Sequence, residues 1–469
     1  MESSSPVFAV RRGELELVAP AEPTPRELKP LSDVDDQEGL RFYSSGIHVY
    51  RSSNGAKDGE DPATVIRDAL AKALVFYYTL AGRLREGAGR KLAVECTAEG
   101  AVFAEADADV RLDDLEGALC PPFPCHEELL CPLQQGSTGS YIVDCPLLYI
   151  QINIIMSLHA GDAAQVRRLH LRPKDQPYHC RRPGGDAVPQ GPRRAGARRG
   201  RPSVRPVWAR DLLTARSPPC ITHDHPEYEF STEEIAKDKL TSVLPKDMVR
   251  RPIFFGPKEI SALRNHLPAH LRMSSSRFEL ITAAIWRSRT AALAYGPEDE
   301  VRVQFIVNAR GRKRSQAPLP PGFYGNAFAF TVASSAAAKL CEQPLGYALE
   351  LVKKAKAKAT DEFMQSAVDY LVSNGRPHFA VAKTYIVSDV TRAGFEDVDF
   401  GLGRGCMAGR QKAARGRFLV SRTTSPGPRT ARGRRAYLWP CACLLMLWRG
   451  SRWRLILSLT NQFLIPMYE

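Results

Sequence analysis

The sequence lacks any hydrophobic run long enough to cross a lipid bilayer. Its longest apolar stretch, residues 437–448, falls well short of the roughly 20 residues that a membrane-spanning helix needs. The first residues, Met-Glu-Ser-Ser-Ser-Pro, show no basic segment followed by an apolar core, which argues against a signal peptide. The 11 cysteines are irregularly spaced, as expected for reduced thiols rather than a disulfide framework. We therefore expect a cytosolic protein with no membrane association.

Acidic residues are scarce in two stretches that are rich in arginine. Residues 167–201 hold ten Arg and one Lys against two Asp, and residues 422–454 hold eight Arg and no acid. These stretches carry net charges of +9 and +8, whereas the whole chain carries +14. The remaining residues are therefore mildly acidic, and their composition is that of an ordinary globular protein.

The pattern of apolar residues predicts helices and strands in alternation. Asp61 and Pro62 form an N-cap followed by a proline, which predicts a helix that runs to about Tyr78. Further helices are predicted at 258–267, 277–293 and 345–371, strands at 147–151, 301–307 and 327–332, and a hairpin from 92–95 and 101–104. A polar, proline-rich segment at 217–228 is typical of a crossover between domains. With 469 residues, these features predict an α/β chain of two similar-sized domains.

Six short blocks of sequence follow one another over most of the chain. They are Tyr78-Thr-Leu-Ala-Gly-Arg83, Ser275-Ser-Arg-Phe-Glu-Leu-Ile-Thr-Ala-Ala-Ile-Trp286, Val307-Asn-Ala-Arg-Gly-Arg312, Pro320-Pro-Gly-Phe-Tyr-Gly-Asn326, Ser388-Asp-Val-Thr-Arg392 and Asp399-Phe-Gly-Leu-Gly403. Each block alone is a weak signal, whereas six in this order are specific. Together they resemble the blocks of the plant BAHD acyl-CoA-dependent acyltransferases, in the branch of benzyl alcohol O-benzoyltransferase-like enzymes.

The resemblance implies a fold and a substrate pair. The expected fold is two mixed-sheet domains of the chloramphenicol acetyltransferase type, with a channel between them. We place the N-terminal domain at residues 1–205, the crossover at 206–228 and the C-terminal domain at 229–469. Acyl-CoA as co-substrate would enter the channel from one face, and a small alcohol or amine acceptor from the other. The resemblance implies a monomer with no bound cofactor and no metal.

The resemblance also implies roles for individual residues. Tyr324 and Asn326 match a block near the channel and are implied to bind substrate, although a Gly-rich turn between a helix and a strand is an equal alternative. The block formed by Asp399, Phe400, Gly401, Leu402 and Gly403 corresponds to the structural Asp-Phe-Gly-Trp-Gly of the family. Leu402 replaces the tryptophan, which should weaken the local packing.

The residue that the resemblance makes the general base is missing. The family uses the histidine of a His-x-x-x-Asp motif, because an imidazole titrates near working pH. None of the 10 histidines has an aspartate four residues later. His159 precedes Asp162 by one residue too few, and His179 has no aspartate at the needed offset. We interpret both as surface or loop residues and assign no catalytic residue to this chain.

We infer that a shifted reading frame explains the missing His-x-x-x-Asp motif. GC-rich coding DNA read in a wrong frame yields Arg, Pro, Gly and Ala, which dominate residues 167–201. Permitted codons for residues 175–182, read one nucleotide later, encode Ile-Asn-His-Thr-Thr-Ala-Asp, and residues 166–174 then encode Cys-Gly-Gly-Phe-Ile-Phe-Ala-Leu-Arg. A similar shift within 433–453 yields a family-like strand and helix. We therefore interpret 152–205 and 421–469 as disrupted, with 152–165 as candidate translated intron.

Three other interpretations stay open. The arginine-rich stretches could bind nucleic acid, although they lack helical periodicity, a known motif and aromatic platforms, so we expect no specific nucleic-acid partner. Cys120, Cys125 and Cys131, or His223 and His225, could chelate a metal, but their spacing matches no zinc template. Finally, the chain could be an inactive or non-folding family member.

Overall fold

A computed structural model describes the fold over much of the chain. The described residues are 8–43, 46–51, 61–111, 125, 127–134, 142–159, 162–171, 201–228, 255–311, 318–380, 382–389, 405–410 and 417–420. Within these ranges the chain forms three β-sheets and a set of flanking helices. No helix in them combines the length and the apolar character needed to span a membrane.

The N-terminal part of the chain builds two of the sheets. Its elements are β1 (Val10–Arg12), β2 (Glu16–Val18), β3 (Leu28–Pro30), β4 (Gly46–Arg51), α1 (Pro62–Phe76), β5 (Arg83–Glu86), β6 (Leu92–Glu95), β7 (Ala101–Arg111), β8 (Tyr149–His159) and β9 (Asp162–Leu171). The larger sheet runs β1-β7-β8-β9-β4, with β2 also paired to β7, and the smaller runs β3-β6-β5. Helix α1 packs on the larger sheet through Ile66, Leu70 and Leu74.

The C-terminal part of the chain builds the third sheet. Its elements are α2 (Pro257–Asn265), α3 (Ala269–Ser274), α4 (Arg277–Leu293), β10 (Glu300–Asn308), β11 (Phe328–Ala336), α5 (Ala337–Glu342), α6 (Leu345–Lys358), α7 (Asp361–Ser373), β12 (Thr384–Asp389), β13 (Gly405–Arg410) and β14 (Arg417–Val420). This sheet runs β11-β10-β12-β14. Its core includes Trp286 of α4, Phe305 of β10 and Leu349 of α6, which are fully buried.

One C-terminal strand belongs to the N-terminal sheet. Strand β13 pairs antiparallel with β4, with Ala408 opposite His48 and Gly409 opposite Ile47. The polypeptide therefore crosses back from the third sheet to complete the first. The domain boundaries predicted above stay a prediction.

The structure confirms most of the predicted helices. Helix α1 begins at Pro62, and the side chain of Asp61 accepts hydrogen bonds from the backbone N–H groups of Ala63 and Thr64. Helices α2 and α4 lie where the apolar pattern placed them. The predicted single helical region at 345–371 is wrong as one helix. The backbone leaves the helical conformation at Ala359, and Thr360 caps a new helix by accepting a bond from Phe363 N–H.

The predicted hairpin of 92–95 with 101–104 is also wrong. Strand β6 pairs with β5 and β3, whereas β7 lies in the larger sheet. The chain turns between them at Gly100, whose φ of +108° favours glycine. A Cβ at this position would lie 3.0 Å from the nitrogen of Ala19 and closer still to Val18, so the close approach of β2 also requires glycine.

Residues without a predicted strand pattern form part of the larger sheet. Strand β8 extends to His159, beyond the predicted strand at 147–151, and pairs antiparallel with β9. Strand β9 lies between β8 and β4, with Arg168 opposite Val49 and Arg167 opposite Tyr50. Two arginines thus occupy successive positions of an internal strand whose partners on β4 are buried.

Candidate active site

Three distant segments meet around Tyr324. The first is the 3-10 turn Tyr78–Ala81 that follows α1, and the second is the start of the crossover at 206–210. The third is the Pro-rich turn at 320–326, which precedes β11. Val207 N–H donates to the carbonyl of Gly322 over 2.9 Å, which ties the crossover to the turn. The two blocks that contain Tyr78 and Tyr324 are therefore neighbours in space, although about 245 residues separate them.

Tyr324 joins the two halves of the chain. Its phenolic oxygen lies 3.1 Å from Oγ1 of Thr79, within hydrogen-bond distance. Its ring makes edge contacts with Tyr77 and Trp208, at centroid distances of 5.3 and 5.8 Å. Tyr324 itself is buried, whereas Tyr77 and Trp208 are half-buried. The cluster therefore presents aromatic surface next to a phenolic hydroxyl.

Asn326 lies at the end of the same turn. Its backbone N–H donates to Oδ1 of Asp35 over 2.9 Å. Its side chain is half-buried, and among the described residues the side-chain amide has no hydrogen-bond partner. The structure thus brings both predicted substrate-binding residues to one turn. Whether they bind substrate stays a prediction.

A buried ion pair lies directly behind this turn. Nε of Arg210 is 2.7 Å from Oδ2 of Asp35, and both side chains are about 2% exposed. The Arg210 guanidinium also lies over the rings of Trp208, Phe323 and Tyr324, with its carbon 4.1, 5.2 and 5.1 Å from the three centroids. Burial of a guanidinium is costly unless a carboxylate compensates it, which Asp35 does.

Asp35 belongs to a buried polar segment that sequence reasoning missed. Residues 32–37, Ser-Asp-Val-Asp-Asp-Gln, are all buried. Asp33 accepts from the backbone N–H of Ala215 over 2.9 Å and pairs with Lys91. Gln37 accepts from the hydroxyl of Tyr228 over 2.8 Å. Three acids within four residues usually indicate a solvated loop, and only their partners on distant segments explain their burial.

A Ser-His-Glu arrangement lies elsewhere, in the crossover. Nδ1 of His225 is 2.8 Å from Oε1 of Glu227, and Nε2 is 2.9 Å from Oγ of Ser366. Ser366 Oγ also accepts two backbone N–H groups, from Thr222 and His223. All three side chains are almost completely buried, and both Ser366 lone pairs are occupied. The serine can therefore not act as a nucleophile, and the arrangement fixes the crossover on α7.

Helix α7 holds the crossover through one polar face. Residues 362, 365, 366 and 369 recur at helical spacing, and each bonds to the segment 214–225. Asp369 accepts backbone N–H bonds from Arg216 and Cys220 and pairs with the Arg216 side chain at 2.6 Å. Burial raises the pKa of Asp369, but these bonds outweigh it and leave the pKa below its ordinary value.

The remaining predicted sites fall into two groups. His159 ends β8 opposite Asp162 of β9, so this near miss of the family motif forms the end of a hairpin. The described residues contain no group of three His, Cys, Asp or Glu side chains that could hold a metal. His179, Cys120, the block Asp399 to Gly403 and nearly all of the two arginine-rich stretches lie outside the described residues.

Sequence comparison connects this geometry to a family. The family model of the Transferase family matches residues 8–157 and 195–419. Benzyl alcohol O-benzoyltransferases of Petunia hybrida and Nicotiana tabacum are 52% and 51% identical to the chain, and each alignment covers 88% of the chain and 86% of the relative. The chain belongs to the Transferase family, the BAHD acyltransferases. Alcohol acyl transferase 2 of Malus domestica is 46% identical, over 87% of the chain and 86% of that protein.

Solved structures confirm the predicted fold class for this BAHD protein. Vinorine synthase superposes with a TM-score of 0.62 at 19% identity, over 92% of the chain and 94% of that structure. TRI101 of F. sporotrichioides, complexed with coenzyme A and T-2, superposes with a TM-score of 0.55 at 15% identity, over 89% and 94%. The fold is therefore the α/β, chloramphenicol acetyltransferase-like fold that the six blocks implied.

Proposed function

We propose that the gene encodes an enzyme that transfers an acyl group from acyl-CoA to the hydroxyl of a small, aryl-bearing alcohol. The observation that carries this proposal is the cluster at Tyr324, where half-buried aromatic rings adjoin a phenolic hydroxyl and the Asn326 amide. Aromatic rings in edge contact form a surface that suits an aryl acceptor. The names of the Petunia and Nicotiana relatives agree with such an acceptor. An amine acceptor of similar shape is the alternative.

The chemistry requires a base and hydrogen-bond donors. The acceptor oxygen attacks the thioester carbonyl, loses its proton to a general base, and displaces the coenzyme A thiolate, which takes up a proton. Donors near the carbonyl stabilise the negative charge that develops on its oxygen. We assign substrate binding to the hydroxyl of Tyr324 and the side-chain amide of Asn326. No described side chain is assigned as the base.

In our proposal, the general base is the histidine that the shifted reading frame of the message encodes. Residues 158–194 are not matched by the family model, and the match ends at residue 419. These limits fall close to the two arginine-rich stretches. Strand β9 also carries Arg167 and Arg168 opposite the buried Val49 and Tyr50. At these two positions the shifted frame encodes Gly-Gly, and it encodes His-Thr-Thr-Ala-Asp nearby.

A second candidate function follows from the chain as written. Because it contains no His-x-x-x-Asp motif, this chain would bind substrates without turning them over. Loss of a general base alone typically costs about 100- to 10,000-fold in rate, and this chain also lacks the family's sequence at residues 158–194, so we expect no measurable turnover. In either case we propose a cytosolic monomer that needs no metal, bound cofactor, membrane or nucleic-acid partner.

The first test is to sequence the mature message across codons 150–210 and 415–460. If the message encodes Asn-His-Thr-Thr-Ala-Asp, protein made from it should convert benzyl alcohol and benzoyl-CoA to benzyl benzoate. The Asn326→Ala variant of that protein should lose most of this activity, while Gly87→Ala, at an exposed turn, should retain it. If the message encodes the chain as written, we expect no turnover, and detectable ester formation would refute the need for the motif.

A further inference from the structure

The carboxylate of Asp35 binds two groups that belong to distant segments. Its Oδ2 contacts the guanidinium of Arg210 in the crossover, and its Oδ1 accepts the N–H of Asn326. Ser32 fixes the same carboxylate, because its hydroxyl donates to Oδ2 over 2.8 Å. One buried acid thus holds both the cation behind the turn and the backbone of the turn itself.

The guanidinium of Arg210 in turn occupies the space beside Gly325. A Cβ at Gly325 would lie 2.8 Å from Nε of Arg210, and closer still to its Nη1 and Cζ. Arg210 also donates from Nη1 to the carbonyl of Trp208 over 3.0 Å. The residue before it, Ala209, has a φ of +33°, a conformation that costs energy for a residue with a Cβ. Such backbone strain persists only where the surroundings determine the conformation.

We propose that Asp35 and Arg210 are positioning residues that set the turn at 320–326, so that Tyr324 and Asn326 face the substrate. The pair touches no substrate itself. This inference rests on the proposed function for the roles of Tyr324 and Asn326, but the placement of the turn can be measured without it. The Asp35 carboxylate holds the turn backbone through the N–H of Asn326, and the planar Arg210 guanidinium packs against the rings of Phe323 and Tyr324.

Amide hydrogen exchange of the full chain tests the placement directly. Asp35→Asn keeps the shape of the side chain but removes its charge. The turn at 320–326 should then exchange about tenfold faster, while β10 and β11 keep their protection, because one charged hydrogen bond and one ion pair are lost. Asp369→Asn is the matched control, since it also removes a buried carboxylate paired with an arginine. It should leave exchange in the turn unchanged.

Binding of two probes, benzyl alcohol and coenzyme A, completes the test. We expect Asp35→Asn to weaken benzyl alcohol binding at least about tenfold and Asp369→Asn to change it little. Equal exchange of the turn in both variants would overturn the inference, as would uniform acceleration that includes β10 and β11. If the unaltered chain binds neither probe while the turn responds as expected, the positioning inference stands and the proposed function fails.

Discussion

Gly325→Ala is the substitution for which the structure gives the clearest expectation. The added methyl group would overlap Nη1, Cζ and Nε of Arg210, whose side chain is about 2% exposed and cannot move into solvent. Overpacking of this kind typically costs about 1–3 kcal/mol. If the guanidinium were also displaced from Asp35, the unpaired buried charges would bring the cost to about 3–5 kcal/mol. We expect the free energy of unfolding to fall by about 2–4 kcal/mol.

Urea unfolding followed by circular dichroism measures this change. Gly87→Ala is the control, because its Cβ would make only an ordinary contact, 3.6 Å from the carbonyl of Lys91. A double-mutant cycle with Arg210→Ala separates the cause. Once the guanidinium is absent, the added methyl should cost almost nothing, so the double variant should be no less stable than Arg210→Ala alone. A loss below about 0.5 kcal/mol for Gly325→Ala, or full additivity in the cycle, would refute the proposed contact.

Three further predictions concern stability. Asp369 has a lowered pKa, so its contribution to stability is present above the ordinary aspartate pKa and is lost as the pH falls through the pKa of the folded state. Asp369→Asn should therefore lower the free energy of unfolding at pH 7 by about 3 kcal/mol, and the difference from the unaltered protein should shrink in acid. Burial lowers the pKa of His48 to about 4, so acidification from pH 6.5 to 4 should lower the free energy of unfolding by about 3 kcal/mol. Urea unfolding curves measured across this pH range should not show this loss in the His48→Gln variant. Thr360→Ala removes the N-cap of α7 and should lower the urea midpoint by the equivalent of about 1 kcal/mol, whereas an unchanged midpoint would show that the cap is dispensable.

Local signals made several elements predictable. The Asp61 cap and the spacing of apolar residues identified α1, because caps and periodicity act within a few residues of the chain. The same rules joined α6 and α7 wrongly, since the break at Ala359 depends on a single cap by Thr360. They also paired β6 with β7, because adjacency in sequence favours a hairpin when nothing indicates that the strands belong to different sheets.

The site was only half visible in the sequence. Tyr324 and Asn326 are predicted as substrate-binding residues because their block has a recognisable form. Asp35 and Arg210 were missed. An acid in a Ser-Asp-Val-Asp-Asp run and an arginine close to a tryptophan are typical of surface residues, and only the structure shows that the two side chains are buried against each other. The local signal in this run is its two apolar residues, Leu31 and Val34, both of which are buried.

The sequence alone determined the family, the order of its blocks and the absence of a His-x-x-x-Asp motif, since these are properties of residue identity and spacing. Only the tertiary structure decided which distant residues contact the turn at 320–326. Gly325 must be glycine because a guanidinium from a segment more than 100 residues earlier packs on it, and Asp35 is buried because it meets that same guanidinium. Interactions between distant segments depend on where the folded backbone brings them together, which no local pattern of residues encodes.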